Sequence, residues 1–230
     1  MPCGTLRIAT PLGVIRKMLI LTKIHKAQFI EDMFNKEYLY FNSLRDFRDN
    51  SKDGTGRLDP RELNLKNEQL TTLTIQKDDK EIHLHKVLKG FSGQYIEHMS
   101  EPKINCCSLH WLEIESGQSP STFNHKLIEM GDKALLIYDW KKFFEILDQS
   151  LENLKLEYSR KKVEYYNPKT FSDDLSLHHK NEEFKWQNEY RILIAPTNNK
   201  PLKIPLKGMK EISCVIDSKA YHRIRIKIEN

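Results

Sequence analysis

The sequence predicts an α+β fold, and three observations carry the prediction. Short segments rich in β-branched and aromatic residues outnumber segments with helical periodicity. Several of them follow one another with only a turn between, which is not the β-α-β alternation of a doubly wound sheet. Apolar residues make up 39% and charged residues 30% of the 230 positions, a balance that suits a packed core with a wet surface and excludes disorder.

The elements follow in order. Residues 1–17 read as an N-terminal tail or extension, because the apolar patch Pro11–Ile15 precedes Arg16 and Lys17. A signal peptide has its charges first. Residues 18–24 (MLILTKI) form the first clear strand. Residues 25–36 form a helix, with Ala27, Ile30 and Phe34 at helical spacing. A short aromatic strand covers 38–41, and Asn42–Ser43 then offer an N-cap for a tight turn over 44–48. Residues 49–60 (DNSKDGTGRLDP) are a polar loop of turn formers. Residues 69–76 and 81–88 read as a hairpin around Asp78–Asp79, and 104–112 (INCCSLHWL) as a strand. A helix over 122–130 stops at Gly131, and a strand covers 133–138. Asp139 caps the strongest helix, whose stripe is Trp140, Phe143, Phe144, Leu147, Leu151 and Leu154. A strand at 160–166 ends before Pro168, and 170–181 is loop or short helix. Strands at 187–195, 202–205, 212–216 and 224–228 complete the chain. Without a repeat or a linker, residues 18–230 read as one domain.

Composition narrows the function classes only a little. Lys and Arg exceed Asp and Glu by 37 to 32, a formal charge of +5. That excludes a chain that repels phosphates and demands no nucleic acid. No apolar run approaches the roughly 18 residues of a membrane span, so no membrane and a cytoplasmic location are expected. Cys3, Cys106, Cys107 and Cys214 include no C-x-x-C pair. Reduced thiols are expected, and no metal site.

The sharpest constellation is Gln187-Asn188-Glu189 in WQNEYRILI. On a strand, positions i and i+2 share a face, so the amide and the carboxylate reach one substrate. Such a carboxylate accepts from a ribose hydroxyl and stabilises a developing cation; the amide orients a nucleophile. A second reading makes Gln187, Glu189 and Arg191 the solvated face of an amphipathic strand. FNSLRDFRD offers Asn42, Arg45, Phe47 and Arg48 close together. Guanidinium groups suit a diphosphate and an aromatic wall suits a flat ring; the alternative is a turn whose arginines are solvated. The loop through Asp53, Asp59 and Glu62 fits neither an EF-hand nor a Walker A loop and reads as surface loop or flap. His83, His85, His178 and His179 read as surface histidines. Glu183-Phe184-Lys185, with Asp173 or Asp174 upstream, allows a metal-dependent nuclease. Arg223, Arg225 and Lys227 alternate on the last strand and suit phosphate or edge protection.

The Gln-x-Glu pattern entering a strand resembles the Gln/Glu-x-Glu signature of ADP-ribosyltransferases. Two stretches, YLYFNSLRDFRDNSKDGTGRLDPRE (38–62) and VEYYNP through FKWQNEYRI (163–192), resemble a group of bacterial and phage proteins of unknown function that are distantly similar to that family. The resemblance implies a split mixed sheet with flanking helices and a cleft for NAD as substrate. It implies Glu189 as the catalytic glutamate and Gln187 as the residue positioning the acceptor. Ser108 matches the serine of a second motif. For the first motif's arginine or histidine the candidates are His25, Arg45 and Arg48. The implied activity is transfer of ADP-ribose to a nucleic acid or a protein, as a toxin or phage-defence effector with an antitoxin or immunity partner. A catalytically silent binding or sensing module of the same fold is the alternative.

Overall fold

A computed structural model describes residues 6–9, 17–48, 58–77, 79–115, 124–223 and 226–229. In chain order the strands and helices are β1 (Leu6–Ala9), β2 (Lys17–His25), α1 (Ala27–Lys36), β3 (Tyr38–Ser43), β4 (Asn64–Leu70), β5 (Thr74–Lys77), β6 (Lys80–His83), α2 (Leu84–Val87), β7 (Gly93–His98), β8 (Asn105–Glu115), β9 (Lys133–Ile137), α3 (Trp140–Asn153), β10 (Tyr158–Lys162), β11 (Glu164–Tyr166), β12 (Asp173–Asp174), β13 (His179–Asn181), β14 (Glu189–Ile194), β15 (Leu202–Pro205), β16 (Ser213–Asp217) and β17 (Ile226–Glu229). Single 3₁₀ turns cover Leu44–Phe47, His125–Met130, Glu182–Gln187, Met209–Glu211 and Ser218–Arg223. The class is α+β, mostly antiparallel, with few helices.

The main sheet runs β10-β14-β8-β2-β9-β16, and every neighbouring pair in it is antiparallel. Its spine is β8. One edge of β8 pairs continuously with β14 from Asn105 to His110. The other edge is shared: Asn105 and Cys106 pair with Ser43 and Asn42 of β3, while His110 to Glu115 pair with β2. Between these stretches, at Cys107 to Leu109, the edge has no strand partner among the described residues, and the sheet splits. β15 extends the β3 arm.

Alternation along the strands sends side chains into separate cores. Leu21, Cys107, Leu109, Ile192 and Ile194 pack with α1 (Ile30, Met33) and α3 (Phe143, Phe144, Leu147, Leu151). Ile20, Ile24, Leu112, Ala134 and Leu136 pack on the other face with Leu127 and Tyr221 from the 3₁₀ turns. Cys106 joins Leu44, Leu63, Ile104 and Leu193, so the adjacent cysteines lie in different cores. Burying each large α3 side chain contributes on the order of 1.5–3 kcal/mol. Asp139 caps α3 as expected, its carboxylate accepting from Lys142 N at 3.1 Å. Trp140 lies at the core edge and Leu154 is exposed.

Several sequence expectations need correction. Part of the segment read as a tail is β1, paired in parallel with β17. The hairpin is shorter, Thr74–Lys77 with Lys80–His83, and residues 84–87 make one helical turn. The strands β4 and β7, paired to each other, were not expected; β4 also pairs with β12. They carry mixed polar residues because this three-stranded sheet is largely solvated. Residues 170–181 contain β12, held by the remote β4, and β13, held by the nearby β11. Asn42 and Ser43 continue β3, and Ser43 makes no side-chain cap bond, because their positions are taken up pairing with β8. No helix among the described residues is long and apolar enough to cross a membrane.

Gly131 ends its turn for a different reason from the one expected. Its backbone is extended, not left-handed, and an added Cβ would sit 2.2 Å from the carbonyl carbon of His25. Backbone there cannot yield as a flexible side chain would. Gly131→Ala is expected to lower stability by about 3 kcal/mol, read as a lower urea midpoint at unchanged slope.

Candidate functional site

The split in the sheet opens a cleft of about 270 Å³. β2 contributes Thr22, Lys23 and His25 to it, β3 contributes Tyr40 and Asn42, and β8 contributes Cys106, Ser108 and His110. The unpaired edge of β8 needs donors and acceptors. Lys23 supplies one, its Nζ donating to the Ser108 carbonyl at 2.8 Å.

At the closed end lies a buried ionic cluster. Glu189 Oε1 accepts from Ser108 Oγ at 2.5 Å and from Arg191 Nε at 2.9 Å, and Oε2 accepts from Lys180 Nζ at 2.9 Å. Lys180 Nζ also donates to Gln187 Oε1 at 2.9 Å. Arg191 grips Glu62 with both terminal nitrogens, at 2.7 and 3.2 Å, and donates to the Leu177 carbonyl. Two carboxylates thus face two cations, and none of the four is more than 4% exposed. Burial alone pushes Glu189 towards the neutral acid. The charges of Arg191 and Lys180, with the Arg191 and Ser108 hydrogen bonds, outweigh it and hold the carboxyl far below its usual range. Burial raises the Glu62 pKa against the pull of the same two cations. Burial also pushes the Cys106 thiol up to about 12. At pH 7 Cys106 is therefore not a thiolate nucleophile, although it lines the cleft.

The local chain explains why the amide and the carboxylate meet. Gln187 is not on the strand; it ends the 3₁₀ turn Glu182–Gln187. Asn188 then adopts a left-handed conformation, φ 38°, ψ 60°, which Asn tolerates better than most residues. Its side chain accepts from Trp111 Nε1 at 2.9 Å and donates to the Trp111 carbonyl, fixing the turn to β8. Glu189 opens β14 with its amide donating to the Tyr165 hydroxyl at 2.9 Å. The pair converges through a turn and Lys180, not through strand periodicity. The solvated-face reading fails too, since Gln187, Glu189 and Arg191 are all buried.

No family model matches the chain, and comparison with curated proteins and with solved structures gives no match.

Of the residues singled out from sequence, Asn42, Phe47, Ser108, Gln187 and Glu189 line the cleft, as does His25. Arg45 and Arg48 do not; they line a separate groove with Met99, Lys103 and Asn199. Their turn is a 3₁₀ turn with three residues per turn, so Arg45 and Arg48 share one side while Asp46 and Phe47 face the cleft. Three residues of the buried network were not expected: Lys180, Glu62 and Asp59. Residues 58–62 are only partly surface loop: Pro60 is exposed, but Asp59 and Glu62 are buried. Asp59 is 1% exposed and its carboxylate accepts from the amides of Arg61 and Asn181 at 2.9 and 3.3 Å. Residues 49–57 of that loop lie outside the described residues.

The other constellations sit elsewhere. His83 bonds Thr74 and His85 bonds the Leu73 backbone. His178 is buried against Ser159, not on the surface. Glu183–Lys185 lies on a 3₁₀ turn rather than a strand, and Asp173–Asp174 is β12. The side chains of Arg223, Arg225 and Lys227 lie outside the described residues.

One buried and one half-buried histidine, His178 and His110, give a pH dependence. Burial lowers His110 to about 4, against a hydrogen bond to the Gln187 carbonyl that works the other way. Burial, then the charges of Arg191 and Lys161, lowers His178 to about 4. Both are neutral in the fold, while the unfolded chain takes up protons below about 6.5. Their stability contribution is complete above pH 6.5 and is lost as pH falls towards 4. At pH 5 the loss is about 2 kcal/mol for each. Urea midpoints at pH 7, 6 and 5 are expected to fall in that order, with a shallower fall in His178→Gln.

Proposed function

We propose that the protein is an NAD-dependent ADP-ribosyltransferase-like enzyme that cleaves the nicotinamide–ribose bond and transfers ADP-ribose to a nucleic-acid or protein acceptor. One observation carries the reading: the ionised Glu189 carboxylate lines the cleft beside Ser108 and Gln187. The resemblance requires a first motif on the opening strand, a serine on a middle strand and a glutamate at the start of a later one. β2, β8 and β14, which carry His25, Ser108 and Glu189, are adjacent in the sheet.

The chemistry follows from charge. As the C–N bond breaks, its electron pair leaves with nicotinamide and positive charge grows on the ribose. A fixed carboxylate stabilises that charge and accepts from a ribose hydroxyl. A carboxylate offers about four acceptor sites; Ser108, Arg191 and Lys180 fill three, leaving one. Gln187 orients the acceptor nucleophile, which adds at the anomeric carbon and loses its proton. Tyr40 and Phe47 supply a wall for a flat ring. The cleft is slightly smaller than the roughly 300 Å³ at which small-ligand sites begin, which suits the nicotinamide-ribose end of NAD rather than the whole dinucleotide. Arg45 and Arg48 are not among the residues that hold it.

The crowding of Glu189 also favours a second reading, a binding module of the same fold without catalysis. NAD labelled on the adenylate, incubated with the protein and with cell extract or oligonucleotides, separates the two. Nicotinamide release and label transfer, lost in Glu189→Gln and reduced in Ser108→Ala, support the enzyme. NAD binding by calorimetry without nicotinamide release supports the module. Neither binding nor release sinks both.

A further inference from the structure

The groove that takes Arg45 and Arg48 away from the cleft has a chemistry of its own. Its volume is about 670 Å³. Arg45 and Arg48 reach it from one side of their 3₁₀ turn, and Lys103 reaches it from the segment leading into β8. All three are exposed, and among the described residues no carboxylate pairs with them. Among the described lining residues Glu101 is the one acid, so these carry three positive charges against one negative. Its apolar surface is the half-buried Met99, backed by Leu63 and Pro102, both buried.

The spacing of the cations is held by backbone. The Leu44 amide donates to the Ile104 carbonyl at 2.8 Å, tying the arginine turn to the Lys103 segment. The Thr197 amide donates to the Lys103 carbonyl at 2.7 Å, and the Met99 amide to the Leu63 carbonyl at 2.9 Å. Exposed arginines on a fixed frame suit phosphate oxygens, which they engage with a planar fork of donors. An apolar surface beside them suits the flat face of a base, which only an unstacked strand presents.

We propose that this groove binds single-stranded nucleic acid, with Arg45, Arg48 and Lys103 on its phosphates and a base against Met99. The site is separate from the cleft and its test needs no NAD, so a failure of the enzyme reading leaves it standing.

Fluorescence anisotropy of the full chain with a labelled single strand of about 12 nucleotides tests it. Three phosphate contacts predict that log K falls against log salt with a slope of about −2. The triple variant Arg45→Glu, Arg48→Glu, Lys103→Glu alters exposed side chains only, and circular dichroism checks that it folds. It is expected to bind at least tenfold more weakly with a slope near zero. Met99→Asp is expected to weaken the single strand further than it weakens inorganic phosphate. The proposal is overturned by no binding at low salt, by unchanged affinity in the triple variant, or by equal binding of duplex or of polyglutamate.

Discussion

Arg191→Met is expected to destabilise the protein by about 3–5 kcal/mol, the usual consequence of removing one partner from a buried ionic network. Arg191 is 1% exposed and joins Glu189 to Glu62. Without it two buried carboxylates share only the ammonium of Lys180. One of them must take up a proton or draw water into the core. For a chain of this size the thermal midpoint is expected to fall by roughly 6–20 °C. The double variant Arg191→Met, Glu62→Leu removes opposite charges together and leaves Glu189 paired with Lys180. It is expected to recover part of the loss, because apolar groups of similar volume replace a buried pair at little cost. A double variant as unstable as the single one would show that shape, not charge, sets the penalty. Calorimetry or guanidinium melts of the three proteins decide it.

On the proposed transferase reading, Glu189→Gln is expected to lower nicotinamide release by about 10²–10³-fold, the usual loss when one fixed electrostatic stabiliser of a transition state is removed. Glutamine keeps the shape of the side chain and an acceptor for the Ser108 hydroxyl or the Arg191 guanidinium. It removes the charge that opposes the cation on the ribose. NAD binding is expected to change by only a few fold, since that charge matters most as the bond breaks. The substitution also leaves Arg191 and Lys180 sharing Glu62, so its fold must be checked by thermal melting. Ser108→Ala provides the independent arm: it removes one hydrogen bond to the carboxylate without altering charge and is expected to slow release about tenfold. Wild-type rates in both variants would leave Glu189 a structural residue.

What could be read from the chain before its structure was known followed the range of the forces involved. Period-two and period-3.6 patterns are local, and they located β2, α1, β8, α3 and β14 to within a few residues. The Asp139 cap was legible for the same reason, because the carboxylate and the amide it bonds are three residues apart. β12 and β13 were not legible, since both are only two or three residues long and are held by other strands, β12 by one about 106 residues away. The choice of Gln187 and Glu189 came from a motif, although the strand alternation invoked for it is not what brings them together. A left-handed Asn188 clamped by Trp111, 77 residues away, does that.

By itself, then, the amino-acid sequence determined the class of fold, most of its strands and the carboxylate and amide most worth testing. The tertiary structure alone decided which cations accompany them. Arg45 and Arg48 looked like partners because they are close in sequence to Asn42 and Phe47, yet a turn of three residues sends them to another groove. Lys180 and Glu62 looked like members of polar loops, yet they close the buried network. Glu62 lies 129 residues from the arginine it pairs with. Hydrogen-bonding patterns within a helix or a turn are set by neighbours in the chain. Charge pairing in a buried site is set by desolvation, which penalises an unpaired ion whatever its distance in sequence, and only the folded chain shows where its partner stands.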